Sequence, residues 1–120
     1  MSDYQTLVST LKALTQGEEP NTVTLPMAEN EWNTRPQGSD YGIVRLDFET
    51  GQFYGNDRKL DTVYEGSVDL FSHAKDGGGW VKAITDALGS CCGGCWSLNS
   101  HVWERDTGLF HWEWTFEVMG

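Results

Sequence analysis

Trp96-Ser97-Leu98-Asn99-Ser100-His101-Val102-Trp103-Glu104, with Leu109-Phe110-His111-Trp112-Glu113-Trp114-Thr115-Phe116-Glu117-Val118 beyond a short turn, decides the fold. In the second segment Phe110, Trp112, Trp114, Phe116 and Val118 alternate with His111, Glu113, Thr115 and Glu117. A period of two with one apolar side and one polar side is a β-strand buried on one face. In the first segment Trp96, Leu98 and Val102 alternate with Ser97, Asn99 and His101. The two predict a hairpin whose register is set by the need to bury one face. A three-residue loop, Asp106-Thr107-Gly108, puts the large residues on one side and places Gly108 at the left-handed bulge position. In that register Val102 faces Trp112, Leu98 faces Phe116, Trp96 faces Val118 and His101 faces Glu113.

Working outward, Thr62 to Ser72 reads as a strand with Tyr64, Val68 and Leu70 on one face and Glu65, Ser67 and Asp69 on the other. Tyr41 to Phe48 reads as a strand with Val44, Leu46 and Phe48 inward. Glu49-Thr50-Gly51 predicts a turn, Gln52-Phe53-Tyr54 a short partner strand, and residues 55–59 a polar loop. Leu7, Val8, Leu11 and Leu14 follow helical spacing, so 3–16 predicts an amphipathic helix with Ser2 and Gln5 as its capping box and Gly17 at its end. Trp80, Val81, Ile84, Ala87 and Leu88 predict a second helix, opened by Asp76-Gly77-Gly78-Gly79 and stopped by Gly89. Thr22 to Leu25 is a short extended piece, and 27–40 a long polar loop. The expected architecture is α+β and a single domain over 1–120. An antiparallel sheet of about four to five strands is covered on one face by two helices and leaves its other face polar and free.

Composition excludes several functions. The net charge of −10, from 18 acidic and 8 basic residues with no basic cluster, opposes nucleic-acid binding. No apolar run is long enough for a membrane span, and the start of the chain lacks the basic and apolar regions of a signal peptide, which predicts a cytoplasmic origin. The three Cys crowd into 91–95, which is not a secreted disulfide framework.

The candidate chemistry is thin. Cys92 and Cys95 form a C-x-x-C step, which reads as a zinc or a redox site. His101 is the nearest further metal ligand, but a structural zinc needs four ligands and usually two such steps. A thioredoxin-type motif opens a helix after a strand, whereas this one follows a helix end. An incidental glycine turn explains the thiols as well. His101 opposite Glu113 is either a proton-transfer dyad or a solvated cross-strand pair contributing ~0.2–1 kcal/mol. The open sheet surface favours the pair. Asp76-Gly77-Gly78-Gly79 could cradle an anion, yet Trp80 stands where a phosphate loop would continue. No paired carboxylates, HExxH or G-x-S-x-G are present, so no catalytic residue and no cofactor are assigned and an enzyme is not expected. Six Trp exceed the needs of one small core. Trp32 in the polar loop and Trp103 on the polar face beside His111 are left over as interface candidates.

The order of elements, and above all the run Ser67-Val68-Asp69-Leu70-Phe71-Ser72 just before a helix, resembles the tail terminator, or tail completion, family of long-tailed bacteriophages. The likeness covers most of the chain. The glycine-rich lead-in to the second helix, that helix's brevity and the Cys-Cys-Gly-Gly-Cys turn depart from the family pattern. The resemblance implies a structural virion protein that forms a ring, usually a homohexamer, at the head–tail junction. Such a ring caps the tail tube, ends its polymerisation and presents a surface to the head connector or stopper protein, while DNA passes through its hole without sequence-specific binding. It implies assembly in the host cytoplasm and residence in the virion. Loop 27–40 and the turn carrying Asp57, Arg58 and Lys59 are the expected contacts with tube or connector, because loops can order on assembly. A head-completion or neck protein, another minor virion component, and a small metal-binding or ligand-binding module are the alternatives.

Overall fold

The computed structural model describes residues 3–32, 34–55 and 58–119, with backbone alone at 48–55, 58–62 and 119. Helix α1 spans Asp3–Lys12 and buries Tyr4, Leu7, Val8 and Leu11, the i, i+3, i+4, i+7 stripe of an amphipathic helix. It ends at Lys12 rather than at 16. Thr15–Gln16 (β1) instead pairs antiparallel with Val23–Thr24 (β2), and the Leu25 N–H donates to the Leu14 carbonyl at 3.1 Å. Gly17, at φ +91°, turns this small ribbon, and a Cβ there would lie 2.6 Å from the Asn21 carbonyl oxygen. Ser2 of the expected capping box lies outside the described residues.

Five further strands make the main sheet: Met27–Glu29 (β3), Tyr41–Gly55 (β4), Arg58–Ser72 (β5), Trp96–Glu104 (β6) and Leu109–Met119 (β7). Their spatial order is β3-β4-β5-β7-β6, with β3 parallel to β4 and every other pairing antiparallel. Strand β3 lies inside the stretch expected to be wholly loop. Its Met27 is buried against the core, which gives this segment a reason to pair.

No turn occurs at 49–51. β4 runs through to Gly55 and its hairpin with β5 continues to the pair Gly55 and Arg58. Register shifts after Leu46, Thr50 and Phe53 absorb the irregular residues as bulges. β7 accompanies β5 only as far as the pair Val63 and Met119. Residues 51–55 and 58–62 therefore pair only with each other among the described residues, forming a two-stranded arm about 15 Å long.

A 3-10 turn at Gly77–Gly79 leads into helix α2, Trp80–Cys92. Asp76 Oδ1 accepts the Gly78 N–H at 2.9 Å. The helix passes through Gly89 because its buried face continues through Ile84, Ala87, Leu88 and Cys92. Continued burial outweighs the roughly 1 kcal/mol that glycine costs inside a helix. Both helices lie on one face of the sheet against Val44, Val68, Leu70, Trp112, Trp114, Phe116 and Val118. This is the α+β architecture expected, and the aromatic side of β7 is core from Trp112 to Val118, with Phe110 partly buried against it.

The hairpin register differs from the expected one. The loop is Arg105-Asp106-Thr107-Gly108, one residue longer, closed by the Gly108 N–H on the Glu104 carbonyl at 2.9 Å. Glu104 pairs with Leu109, His101 with Trp112 and Val102 with His111. A bulge between Leu98 and Ser100 then shifts the pairing, so that Leu98 meets Trp114 and Trp96 meets Phe116. The half beyond the bulge keeps its large residues on the helix side, as expected. The half near the turn is flipped: Trp103 and His101 are on the helix side, and Val102 joins the outer face.

Candidate functional site

The outer face of the sheet is not bare. Tyr41, Ser67 and Asp69 are buried there. Tyr41 of β4, Phe71 of β5 and His111 of β7 stack across three strands, with ring centres 4.9 Å and 4.2 Å apart. Trp32 meets Tyr41 edge-on at 6.2 Å, and its Nε1–H donates to the Gly42 carbonyl at 3.0 Å. The segment before β4 thus folds back over its start. With Arg45 and Asp69 these rings line an open hollow of about 520 Å3.

A charged chain crosses the floor of this hollow. Arg45 Nη2 donates to Asp69 Oδ2 at 2.8 Å. His111 Nε2 lies 2.6 Å from Asp69 Oδ1, and its Nδ1 lies 2.8 Å from Glu104 Oε2. The side chain of Asp69 is only 3% exposed, so its charge depends on these partners. Both ring nitrogens of His111 can donate at once only as imidazolium. The hydrogen bond to Asp69 raises its pKa most, burial opposes it, and Glu104 adds to the rise. With both nitrogens committed, the ring ties β5, β6 and β7 together and has no nitrogen left to shuttle a proton. Glu104 Oε1 also accepts from Thr107 Oγ1 at 3.3 Å, extending the tie into the hairpin loop. Among the described residues, Arg45 Nε and Ser67 Oγ are buried here without a hydrogen-bond partner.

Sequence reasoning missed this cluster because it paired the wrong histidine. His101 stacks on Trp112 at 4.2 Å and is not opposite Glu113, whose β6 partner is Ser100. The available signal was Trp103. It falls out of phase with Trp96 and Leu98, and a bulge resolves that conflict.

The other singled-out residues are scattered. Trp103 is 56% exposed and rests on Phe110 at 5.0 Å, on the helix side and not beside His111. Arg58 and Lys59 are the first residues of β5, at the end of the arm, and Asp57 lies outside the described residues. Cys92 is buried at the end of α2, Cys91 half-buried and Cys95 exposed. His101 is not grouped with them. Among the described residues, no group of three or more His, Cys, Asp or Glu is arranged to hold a metal ion, and no helix is long and apolar enough to cross a membrane.

The sheet is open on both sides. β6 ends the strand order, and among the described residues nothing pairs with its outer edge. Leu98, Val102 and Trp103 on this strand are 45%, 49% and 56% exposed, an unusual display of large apolar groups on an edge. On the opposite side β3 pairs with β4 only over Gly42 to Val44, which leaves Arg45–Gly55 without a partner on that side among the described residues. No protein-family model matches this chain, and no curated protein matches it either, so the geometry is what its function must be argued from.

Proposed function

We propose that the chain is a ring-forming structural subunit of a phage virion that caps the tail tube, ends its polymerisation and joins it to the head connector. The observation that carries this reading is the pair of long unpaired strand edges on opposite sides of one sheet. A closed cyclic ring needs two different, complementary patches on each subunit. Here β6 of one copy supplies one patch and the 45–55 edge of β4 of the next supplies the other, continuing the sheet between subunits. Burying Leu98, Val102 and Trp103 at that junction would remove the apolar exposure that makes β6 a liability in a lone chain. The arm formed by 51–55 and 58–62 adds reach toward the tube or the connector. The resemblance in element order supports the same assignment.

The charge also supports it. A net charge of −10 repeated around a ring repels passing DNA and keeps it from sticking. The histidine cluster fits a stiffening role, because it cross-links the strands carrying one junction patch. Electron microscopy of the purified chain, alone and mixed with tail tubes, tests the proposal. Closed rings, free or seated on tube ends, are the expected result. Dispersed particles in both samples and tubes that go on elongating would refute it.

A further inference from the structure

The end of α2 and the start of β6 are joined by Gly93-Gly94, and Cys91, Cys92 and Cys95 all line one hollow of about 360 Å3 that also includes Asp3 and Glu117. The Cys95 N–H donates to the Cys92 carbonyl at 3.0 Å. A turn closed from i to i+3 holds its end Cα atoms within about 7 Å of each other, at the span of about 4.4–6.8 Å that a disulfide bridges. Gly93 is at φ 60°, ψ −123°, where glycine is at ease. A Cβ at Gly93 or Gly94 would meet nothing within 4 Å, so the turn has room to tighten. Cys91 and Cys92 are neighbours, and consecutive Cα atoms at about 3.8 Å are too close for an ordinary disulfide.

We propose that Cys92 and Cys95 are a redox couple that exchanges with small-molecule disulfides of the glutathione type, closing a disulfide across the Gly93-Gly94 turn. The exposed Cys95, as thiolate, attacks one sulfur of the oxidant. A Cys95–glutathione bond forms, the oxidant's S–S bond breaks, and one glutathione leaves as thiolate and takes a proton from water. Cys92 then gives its proton to solvent and its sulfur attacks Cys95 Sγ, expelling the second glutathione. Two protein thiols lose two electrons and two protons, and one small disulfide becomes two thiols. The two steps differ in pace. Burial first, then Cys91, Cys95 and Asp3, push the Cys92 thiol up to about 12, so closure is the slow step. Once closed, the bond ties the last turn of α2 to the residue just before β6, where the Glu117 N–H already donates to the Cys95 carbonyl at 2.8 Å. This inference does not depend on the ring reading.

The test uses the full chain, reduced and then equilibrated in buffers of falling reduced-to-oxidised glutathione ratio. Samples are acid-quenched, alkylated and sequenced by fragment mass. The expected product is about 2 Da lighter before alkylation, keeps one alkylatable thiol at Cys91, and carries a Cys92–Cys95 link. Cys91→Ser should keep the transition. Cys95→Ser, a change at an exposed position, should abolish it. Three alkylatable thiols at every ratio, a glutathione adduct that never closes, a bond to Cys91, or a bond between chains would each overturn the proposal.

Discussion

His111 shows how one residue can stiffen a sheet. It donates to two carboxylates on different strands, and its raised pKa records that the folded chain favours the imidazolium. The contribution of such a group is complete below its ordinary pKa of 6.5 and is lost as the pH climbs through the higher folded value. Denaturant unfolding from pH 6 to about pH 8, below the range where the Cys92 thiol ionises in the unfolded chain, should therefore show wild-type stability falling more steeply than that of His111→Gln, whose side chain cannot titrate. At the low end the variant should be about 2 kcal/mol less stable, because a charged hydrogen bond to buried Asp69 is gone. Equal slopes in both proteins would show that the cluster does not hold the proton. At the core, Trp114 is fully buried and its Nε1–H reaches Thr85 Oγ1 at 3.3 Å. Trp114→Ala should cost roughly 3–5 kcal/mol by the same method.

At the level of elements, close strand packing is most severe at Gly66 of β5. A Cβ there would lie 2.3 Å from the Arg45 carbonyl oxygen and 2.6 Å from the Phe116 ring. Gly66→Ala should lower stability by about 2–3 kcal/mol in thermal unfolding, since the nearer obstacle is backbone and cannot move aside. Much of the element plan was legible in the sequence. The faces of both helices, the aromatic side of β7 and the alternation of β5 from Tyr64 to Leu70 follow from burial periodicity alone. The bulge before Ser100 was not, because either half of β6 alternates acceptably by itself and only pairing with β7 exposes the mismatch. The hairpin loop differed by one residue, enough to exchange His101 for His111 as the charged partner. The arm was hidden because Glu49-Thr50-Gly51 carries turn chemistry that β5 overrides by pairing across it. Nor could periodicity show Trp32 folding back onto Tyr41, a contact between a loop and the far face of the sheet.

For the whole molecule, the two open edges set what assembly should depend on. Val102→Lys combined with Trp103→Glu changes exposed side chains on β6 and should leave the unfolding free energy within about 1 kcal/mol of wild type. The same pair should abolish ring formation in analytical ultracentrifugation, by placing charge at the junction. Arg58→Glu, at the end of the arm, and Asp57→Lys should each leave the monomer folded and impair joining to tube or connector in a virion assembly assay. Normal virions from both would remove the arm from the contact surface. The central claim is that β6 and the 45–55 edge of β4 meet between copies. Amide hydrogen exchange, compared between dispersed chain and assembled particle, tests it most directly. Slowed exchange in both 96–104 and 45–55 on assembly is the result expected. Unchanged exchange at both edges in a particle that has nonetheless assembled would contradict it.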